Sequence, residues 1–399
     1  MIPFRALMLA VVTLLTQSGC AYRNNYPQSV SFPIVTGDPE ALHLYVDANG
    51  TFFPNGWKAK CPGGCKKLKQ DFSLLVQSLT APTFRSQIVG DEARQLEMTK
   101  AYLARHPRIF ILVHGFNSDE REIRHSYALV RKRIRLEPGD GIIEFFWDGL
   151  VTVPAKRKLN LAPLKFWKDA AVNSQTGGAR GLRRILALAQ GKTFFLISHS
   201  RGASVVLSAL SDPPYGAKFV KRMEQRDLDP NDGIDGSPGF LTPTPLASGN
   251  ANQIKILMLA PAIGCIDFQR PEFERRRAQE MSRQKCSNVR PLPPEVNFFG
   301  YTVNENDSVL GKFILPSTWY SATDFGYKSD LGDALQMSEN WSFMKPYPLK
   351  NLSEHDFDCY AVQNKFGDML TDADASIDRT PDFPLNPKCG IKPKPQRKP

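Results

Sequence analysis

Histidine is scarce in this chain, with six among 399 residues. Beyond an apolar run near the N-terminus, no segment is apolar enough to span a bilayer. Cysteine pairs with a two-residue spacer are also missing, because Pro-Gly-Gly separates Cys61 from Cys65 and no histidine lies nearby. These absences indicate a mature chain that is soluble or tethered. They also favour a small disulfide loop over a redox or zinc motif.

The N-terminus has the organisation of a bacterial secretory signal. Met1 to Arg5 carries charge, Ala6 to Leu15 is a short apolar run, and Ser18-Gly19-Cys20 is a small-residue cleavage site. The segment resembles a lipoprotein signal, in which Cys20 becomes the lipidated first residue. Gln17 stands where that signal normally has leucine, so ordinary cleavage is the alternative. We therefore expect a lipid-anchored protein of the cell envelope, in the periplasm or at the outer membrane.

Charge and cysteine content agree with export. The formal net charge is +11, which favours anionic surfaces such as phospholipid head groups, wall polymers or nucleic acid. A secretory signal removes nucleic acid from these partners and leaves the membrane. Of the seven cysteines, six remain without Cys20, an even number that predicts disulfides in an oxidising compartment. Six cysteines allow 15 pairings, and their order does not choose among them.

The most informative stretch joins a strand to a helix at Ser200. Thr193 to His199 is an apolar run typical of a buried strand, and Ala203 to Leu210 has small and apolar residues at helical spacing. A strand that turns sharply into a helix needs small residues two positions either side of the turn, and Ser198 and Gly202 stand there. This pattern predicts a nucleophilic serine. The alternative is an ordinary junction with a surface serine.

A second apolar run, from Arg108 to Val113, predicts a central parallel strand and leads into His114-Gly-Phe-Asn117. By analogy with α/β-hydrolases, the loop after this strand donates one oxyanion N–H and the residue after the nucleophile donates the other. The donors would be the backbone N–H groups of Phe116, with Asn117 as the alternative, and of Arg201. We expect His114 to buttress this loop and not to act as the base.

The remaining pattern alternates strands with helices, which predicts right-handed crossovers and a parallel sheet. Further strands are predicted at 142–147, 254–260 and 296–303, helices at 92–105, 118–134 and 179–190, and a leading hairpin over 42–53.

A serine nucleophile needs a neutral imidazole as base and a carboxylate to orient that imidazole. His355 is the sole histidine after Ser200, and the ring of the adjacent His199 cannot turn back onto the serine hydroxyl. Asp307 follows the strand at 296–303 within Asn304-Glu-Asn-Asp307, where we expect the acid, with Asp267 as runner-up. The order serine, acid, histidine is that of α/β-hydrolases.

These pieces, VHGFN, ISHSRG, NEND and the late His355, resemble a bacterial α/β-hydrolase family of largely uncharacterised esterase- and lipase-like proteins. The resemblance covers about residues 108–360. It implies an α/β-hydrolase fold: a mostly parallel central sheet with helices on both faces and inserted loops. It also implies a serine hydrolase that cleaves an ester through an acyl-enzyme, without metal or organic cofactor. The rival interpretation is a noncatalytic envelope lipoprotein that keeps this fold as a binding scaffold.

Two departures from that family concern the acid and the pocket. Arg201 replaces the usual methionine, which we expect to place a cation at the pocket mouth. Ala262 follows Ala260-Pro261 where relatives tend to have aspartate, which weakens the case for an acid on that strand.

The predicted organisation is a signal at 1–20, a tether at 21–40, a hydrolase domain at 41–371 and a Pro/Lys-rich tail at 372–399. Insertions are expected near 211–250, 269–294 and 318–350. The cluster Arg275-Arg-Arg277 is either a basic rim or part of a solvated helix. With the aromatic segment Trp319 to Tyr347 as pocket lining, the rim would favour an anionic or lipid-like ester.

Overall fold

The computed structural model describes residues 22–23, 25–27, 41–57, 74, 81–152, 162–213, 250–269, 289–313, 323–337, 341–378 and 389. Several predicted features lie outside these residues: the signal at 1–20 with Cys20, the Cys61 to Cys65 loop, residues 214–249 of the insertion expected near 211–250, the basic cluster at 275–277, and Cys286. Within the described ranges, no helix combines the length and apolarity needed to cross a membrane.

A seven-stranded sheet, parallel throughout, forms the centre of the described structure. Nine strands are described in all, seven of them in this sheet: β1 (Tyr22–Arg23), β2 (Ala41–Tyr45), β3 (Arg108–Val113), β4 (Gly141–Phe146), β5 (Val151–Thr152), β6 (Thr193–His199), β7 (Gln253–Leu259), β8 (Val296–Val303) and β9 (Met344–Pro348). The sheet order is β2-β4-β3-β6-β7-β8-β9, while β1 and β5 pair separately as a short antiparallel ribbon. The order reverses at β3, so crossovers to its two sides bring strand ends and their loops together.

Helices pack on both faces of this sheet. They are α1 (Pro82–Arg105), α2 (Glu120–Arg133), α3 (Ala162–Thr176), α4 (Arg183–Ala187), α5 (Gly202–Leu210), α6 (Cys265–Phe268), α7 (Asp324–Tyr327), α8 (Asp330–Gln336), α9 (Phe357–Ala361) and α10 (Asn364–Asp372). Alternate residues of β3 explain why both faces need cover: Ile109 and Ile111 enter one core, and Phe110 and Leu112 enter the other. The prediction of a parallel α/β fold with helices on both faces is therefore confirmed.

Local sequence signals account for the start of α2, the helix that follows His114-Gly-Phe-Asn117. Asp119 accepts hydrogen bonds from the N–H groups of Arg121 and Glu122, and Glu122 reaches back to the N–H of Asp119. This capping box satisfies amide groups that the first turn leaves without helical partners. The N-cap is thus Asp119.

Several boundaries differ from the predictions. The leading hairpin is shorter than predicted: β2 joins the sheet parallel to β4. The described antiparallel pairing around the turn consists of the Val46–Phe52 bridge and two backbone hydrogen bonds, from Asp47 to Thr51 and from Phe53 to Tyr45. α1 begins ten residues earlier than the predicted start at Glu92. The helix predicted from Ala179 is the end of a longer helical run that starts at Ala162.

Both predicted terminal extensions contact the body of the protein where they are described. In the tether, β1 pairs with β5, and the backbone N–H of Asn25 donates to Asp148 at 2.7 Å. In the tail, Ile377 bridges to Ile134, and Arg133 donates to the carbonyl of Asp378 at 3.0 Å. The described parts of both extensions are therefore attached to the domain, and in the tail Cys389 adds a disulfide bond to Cys359.

A π-helical turn, Gly177–Leu182, packs against α5, the helix that follows Ser200. Gly178 permits this contact, since a Cβ there would lie 2.2 Å from the carbonyl oxygen of Val205 and 2.8 Å from the Cβ of Ser208. The backbone of α5 is thus in direct contact with the turn.

Gly178→Ala should lower the free energy of unfolding by about 1–3 kcal/mol, because the added methyl overpacks this contact. Gly90→Ala is the matched control, since Gly90 lies exposed in α1 with no atom within 4 Å of an added Cβ. That change should stabilise the helix by up to about 1 kcal/mol. Urea denaturation of both variants measures the difference. Equal effects of the two substitutions would contradict the close approach of Gly178 to α5.

Candidate active site

Ser200 lies where β6 turns into α5, at the carboxyl end of the sheet. Its φ angle is 52°, a left-handed conformation that a serine adopts only under structural constraint. Two hydrogen bonds fix the turn: the N–H of Ser200 donates to Leu259 at 2.9 Å, and its carbonyl accepts from Ala262 at 3.1 Å. The strand, sharp turn and helix thus have the geometry of a nucleophile elbow, while the nucleophilic role of Ser200 stays a prediction.

Two glycines make room for this turn. A Cβ on Gly202 would lie 2.5 Å from the carbonyl oxygen of His114, and a Cβ on Gly115 would lie 2.8 Å from the Cβ of Ser200. Ser198, which replaces the usual first glycine, is buried in β6. The loop after β3 consequently lies directly against the serine.

Ser200, His355 and Asp307 come together in one hydrogen-bond chain. His355 Nε2 lies 2.8 Å from Ser200 Oγ, and His355 Nδ1 lies 2.8 Å from Asp307 Oδ2. The three residues follow β6, β8 and β9, whose carboxyl ends meet at one edge of the sheet. The three predicted side chains therefore meet, and their chemical roles stay a prediction.

The protonation pattern of this chain follows from Asp307. Burial by itself would raise the pKa of Asp307, but the adjacent His355 and the hydrogen bonds to the carboxylate hold that pKa below its usual value. The N–H groups of Val309 and Leu310 each donate to Oδ1 at 2.9 Å. An ionised carboxylate can only accept, so Nδ1 of His355 carries the proton and Nε2 is left to accept from the serine hydroxyl.

Tyr360 is a site residue to which sequence reasoning gave no role. Its hydroxyl donates to Asp307 Oδ2 at 2.7 Å and accepts from the side-chain amide of Asn304 at 2.7 Å. Asn304 also donates to the carbonyl of Leu352, so the β8 end, the histidine loop and α9 are joined around the acid. The available signal was the tyrosine five residues after His355.

His199 holds the loop that carries His355. Its Nε2 donates to the backbone carbonyl of His355 at 2.6 Å, and its ring stacks on Phe357 with the centroids 4.9 Å apart. Burial and the neighbouring His355 keep the pKa of His199 well below its usual value, so the ring is neutral. Sequence reasoning excluded His199 as the base but missed this positioning contact.

His114 buttresses the loop after β3, as expected. Its Nδ1 donates to the carbonyl of Gly115 at 2.8 Å, and its Nε2 accepts from the N–H of Trp147 at 3.1 Å. Burial lowers the pKa of His114 to about 4, so the ring stays neutral with both nitrogens engaged.

The two candidate oxyanion donors of this loop differ in their backbone bonds. Asn117 donates its N–H to Gly149 at 3.1 Å, which leaves Phe116 as the better candidate donor of the two.

The expectation that Arg201 places a cation at the pocket mouth is wrong. Its side chain is fully buried and pairs with the equally buried Asp267, with Nη2 to Oδ1 at 3.1 Å. The guanidinium also donates to the carbonyl of Ala262 at 3.0 Å. Asp267 further accepts from Ser204 Oγ at 3.0 Å and from the N–H of Gly264 at 3.1 Å. Asp267, the alternative candidate for the acid, is thus paired with Arg201. Asp307 is the carboxylate that lies beside His355.

The predicted pocket lining is also revised. Phe325 and Trp341, from the aromatic segment, are fully buried in the core beside Phe299 of β8. Arg290, which lies within the insertion expected near 269–294, is buried and donates to the carbonyls of Asp267 and Ser211. These aromatic and basic residues therefore stabilise the fold and do not face a substrate.

Cysteines near the site form disulfides. Cys359, next to Tyr360, is bonded to Cys389, and Cys265 is bonded to a cysteine outside the described residues. Asp358 lies with Cys359 and Cys389 in a group of metal-ligand type, but both sulfurs belong to the disulfide. That group is consequently unsuited to hold a metal ion.

An all-parallel sheet with helices on both faces and a serine elbow after β6 defines the α/β-hydrolase fold. No protein-family model and no curated protein matches the sequence.

Solved structures of a Thermogutta terrifontis esterase resemble the chain. Esterase 2 phosphoramylated by tabun is 11% identical with a TM-score of 0.32, over 68% of this chain and 81% of that one. Its apo form is 12% identical with a TM-score of 0.32, over 67% and 84%. The native thermophilic esterase is 12% identical with a TM-score of 0.33, over 68% and 80%. Likeness at this level assigns no residue role and no substrate.

Tyr360→Phe removes a hydrogen-bond donor from Asp307 and should lower kcat about tenfold, the typical value of a bond to a charged group. The pKa of Asp307 should rise because a hydrogen bond to its charged form is lost, so the variant should lose the activity that depends on the ionised carboxylate at a higher pH than the wild type does. Tyr347→Phe is the control, since Tyr347 lies on the outer strand β9 and its hydroxyl donates to Asp372 of α10. Identical pH profiles for Tyr360→Phe and the wild type would contradict a positioning role.

We expect Asp307→Asn to lower turnover and Asp267→Asn to lower stability. The first should cost on the order of 10⁴ in turnover with little loss of stability, because His355 loses its orienting carboxylate. The second should lower stability by about 3–5 kcal/mol, because Arg201 is left as a buried cation without its partner. Active-site titration of the folded fraction separates the two effects. A stable but inactive Asp267→Asn protein would overturn the assignment.

Proposed function

We propose that this protein is a serine hydrolase that cleaves carboxylic esters through an acyl-enzyme. The observation that carries the proposal is the unbroken hydrogen-bond chain from Ser200 through His355 to Asp307, with the serine held in a left-handed turn. A surface serine at an ordinary junction needs neither feature. No cofactor is required for this chemistry.

The first half of the reaction acylates the serine. Ser200 Oγ attacks the ester carbonyl while its proton passes to His355 Nε2, and Asp307 stabilises the imidazolium that forms. The proton then goes to the departing alkoxide, so the alcohol leaves and the acyl group stays on Ser200. Water attacks that acyl-enzyme, with His355 taking and returning a proton, to give the carboxylic acid and free serine.

Backbone N–H groups of Phe116 and Arg201 are proposed to bind the developing oxyanion. Support for Phe116 comes from the contact between Gly115 and Ser200 and from the commitment of the Asn117 N–H to Gly149. Arg201 stands at the N-terminus of the nine-residue α5, whose dipole favours negative charge. The buried pair of Arg201 with Asp267 keeps this backbone in position.

We further propose that the mature chain is lipid-anchored through Cys20 in the bacterial cell envelope. The charged start, short apolar run and small-residue site support this, as does the disulfide between Cys359 and Cys389, which needs an oxidising compartment. A lipid-like ester is the natural substrate class for such a location. The proposed preference for anionic esters depends on the Arg275 to Arg277 cluster, outside the described residues.

Ser200→Ala should abolish labelling by a fluorophosphonate probe and hydrolysis of p-nitrophenyl butyrate, because no other group supplies the nucleophile. Ser208→Ala is the matched control: Ser208 is buried in the same helix. It should keep labelling within about twofold of wild type, since its hydroxyl touches neither His355 nor Asp307. In-gel fluorescence and initial rates provide the readouts.

Two results would refute the assignment. Labelling that survives Ser200→Ala would place the nucleophile elsewhere. Wild type that neither labels nor hydrolyses any short-chain ester would favour the noncatalytic scaffold.

A further inference from the structure

The segment just after the predicted lipidation site is docked against the domain. Tyr22 and Arg23 pair antiparallel with Thr152 and Val151, so β1 lies beside the chain that leaves β4. The ring of Tyr26 then packs edge-to-face on the buried Trp57, with centroids 5.2 Å apart. Residues 22–27, where described, are therefore held by backbone and side-chain contacts at once.

This docked segment lies on the rim that carries the candidate active site. The backbone N–H of Asn25 donates to Asp148 at 2.7 Å, and its side-chain amide donates to the carbonyl of Ser118 at 2.9 Å. Ser118 belongs to the loop after β3, and Asp148 to the loop after β4. Both loops lie at the carboxyl end of the sheet.

From there the contacts lead directly to the serine. The loops after β3 and β4 touch each other, since Asn117 donates to Gly149 and a Cβ on Gly149 would lie 2.8 Å from the carbonyl oxygen of Gly115. Gly115 in turn lies against Ser200. One loop thus separates the docked N-terminal segment from the nucleophile.

Covalent geometry limits how far the anchor can be from this rim. Consecutive Cα atoms are about 3.8 Å apart, so Cys20 lies within about 7.6 Å of Tyr22. A free flexible tether over 21–40 would instead allow a separation of roughly 25 Å. The polar headgroup layer of a bilayer is only about 5–8 Å thick on each side. A lipid on Cys20 would accordingly bring the rim down to the headgroups.

We infer that the loops after β3 and β4 form a membrane-facing surface and that the substrate is an acyl ester lying in the same bilayer as the anchor. The inference rests on the proposed function and on lipidation of Cys20, and it specifies the substrate class of that same site. Two half-buried aromatic side chains, Phe116 and Tyr26, belong to this rim, and aromatic rings are favoured at the membrane interface. The anchor thus fixes the position of these two loops relative to the membrane, which a flexible tether would not do.

The test uses two insertions of the same twenty-residue Gly/Ser linker in the lipid-modified protein, reconstituted in phosphatidylcholine vesicles. An insertion after Ala21 separates Cys20 from the docked segment. An insertion after Gln28 adds the same length beyond it and leaves the anchor close to the rim. The readout is the labelling rate with a fluorophosphonate bearing a long alkyl chain in the bilayer, divided by the rate with a water-soluble fluorophosphonate.

The insertion after Ala21 should lower this ratio about fivefold or more, because the local concentration of tethered partners falls with linker length. The insertion after Gln28 should keep the ratio within about twofold of wild type. Asn25→Pro, which removes both hydrogen bonds of Asn25, should make the two insertions equivalent.

Equal ratios for the two insertions would overturn the inference, because a free tether responds only to total length. Absence of lipid on Cys20, read by mass spectrometry of the N-terminal peptide, would overturn it as well. Failure of the proposed function is a different result: wild type would then react with neither fluorophosphonate.

Discussion

The geometry of the site depends on one backbone constraint, the left-handed turn at Ser200. A φ of 52° is costly for a residue with a Cβ, on the order of 1–3 kcal/mol, and persists because neighbours leave no alternative. Gly115 and Gly202 allow the loop after β3 to approach within van der Waals contact. Leu259 and Ala262 hold the same turn from β7 by hydrogen bonds. Three adjacent strands therefore fix the position of a single hydroxyl.

Two buried carboxylates, Asp307 and Asp267, flank this turn and differ in the groups that they bind. Asp307 shares its oxygens with His355, Tyr360 and two backbone N–H groups, and its pKa is lowered although burial acts in the opposite direction. Asp267 instead neutralises Arg201, the residue after Ser200. One acid thus orients the candidate base, and the other supports the backbone of the proposed oxyanion hole. Removing either partner would leave the other charged group buried and unpaired, so substitution is restricted at both pairs.

The sequence predicted the features that local chemistry specifies. Apolar runs indicated β3, β4, β6, β7 and β8, and the small residues around Ser200 indicated the turn. The strand β9 was missed because its sequence, Met-Lys-Pro-Tyr-Pro, has two prolines and little apolar character.

Long-range partners were beyond the reach of sequence patterns. Arg201 meets Asp267 across 66 positions, and Tyr360 meets Asp307 across 53, distances over which spacing carries no information. The docking of residues 22–27 was hidden for the same reason, since their polar composition resembles that of a linker. The triad candidates were nevertheless identifiable, because histidine is scarce and the acid follows a clear strand.

The prolines of β9 have a consequence for self-association. β9 is an edge strand, and Pro346 and Pro348 lack the N–H donors that a further strand would need. Because β9 pairs with β8 through its inner side, the missing donors belong to the outward side. Strand addition between copies is therefore disfavoured at this edge. Copies of this chain are in this way hindered from joining into a continuous intermolecular sheet through β9.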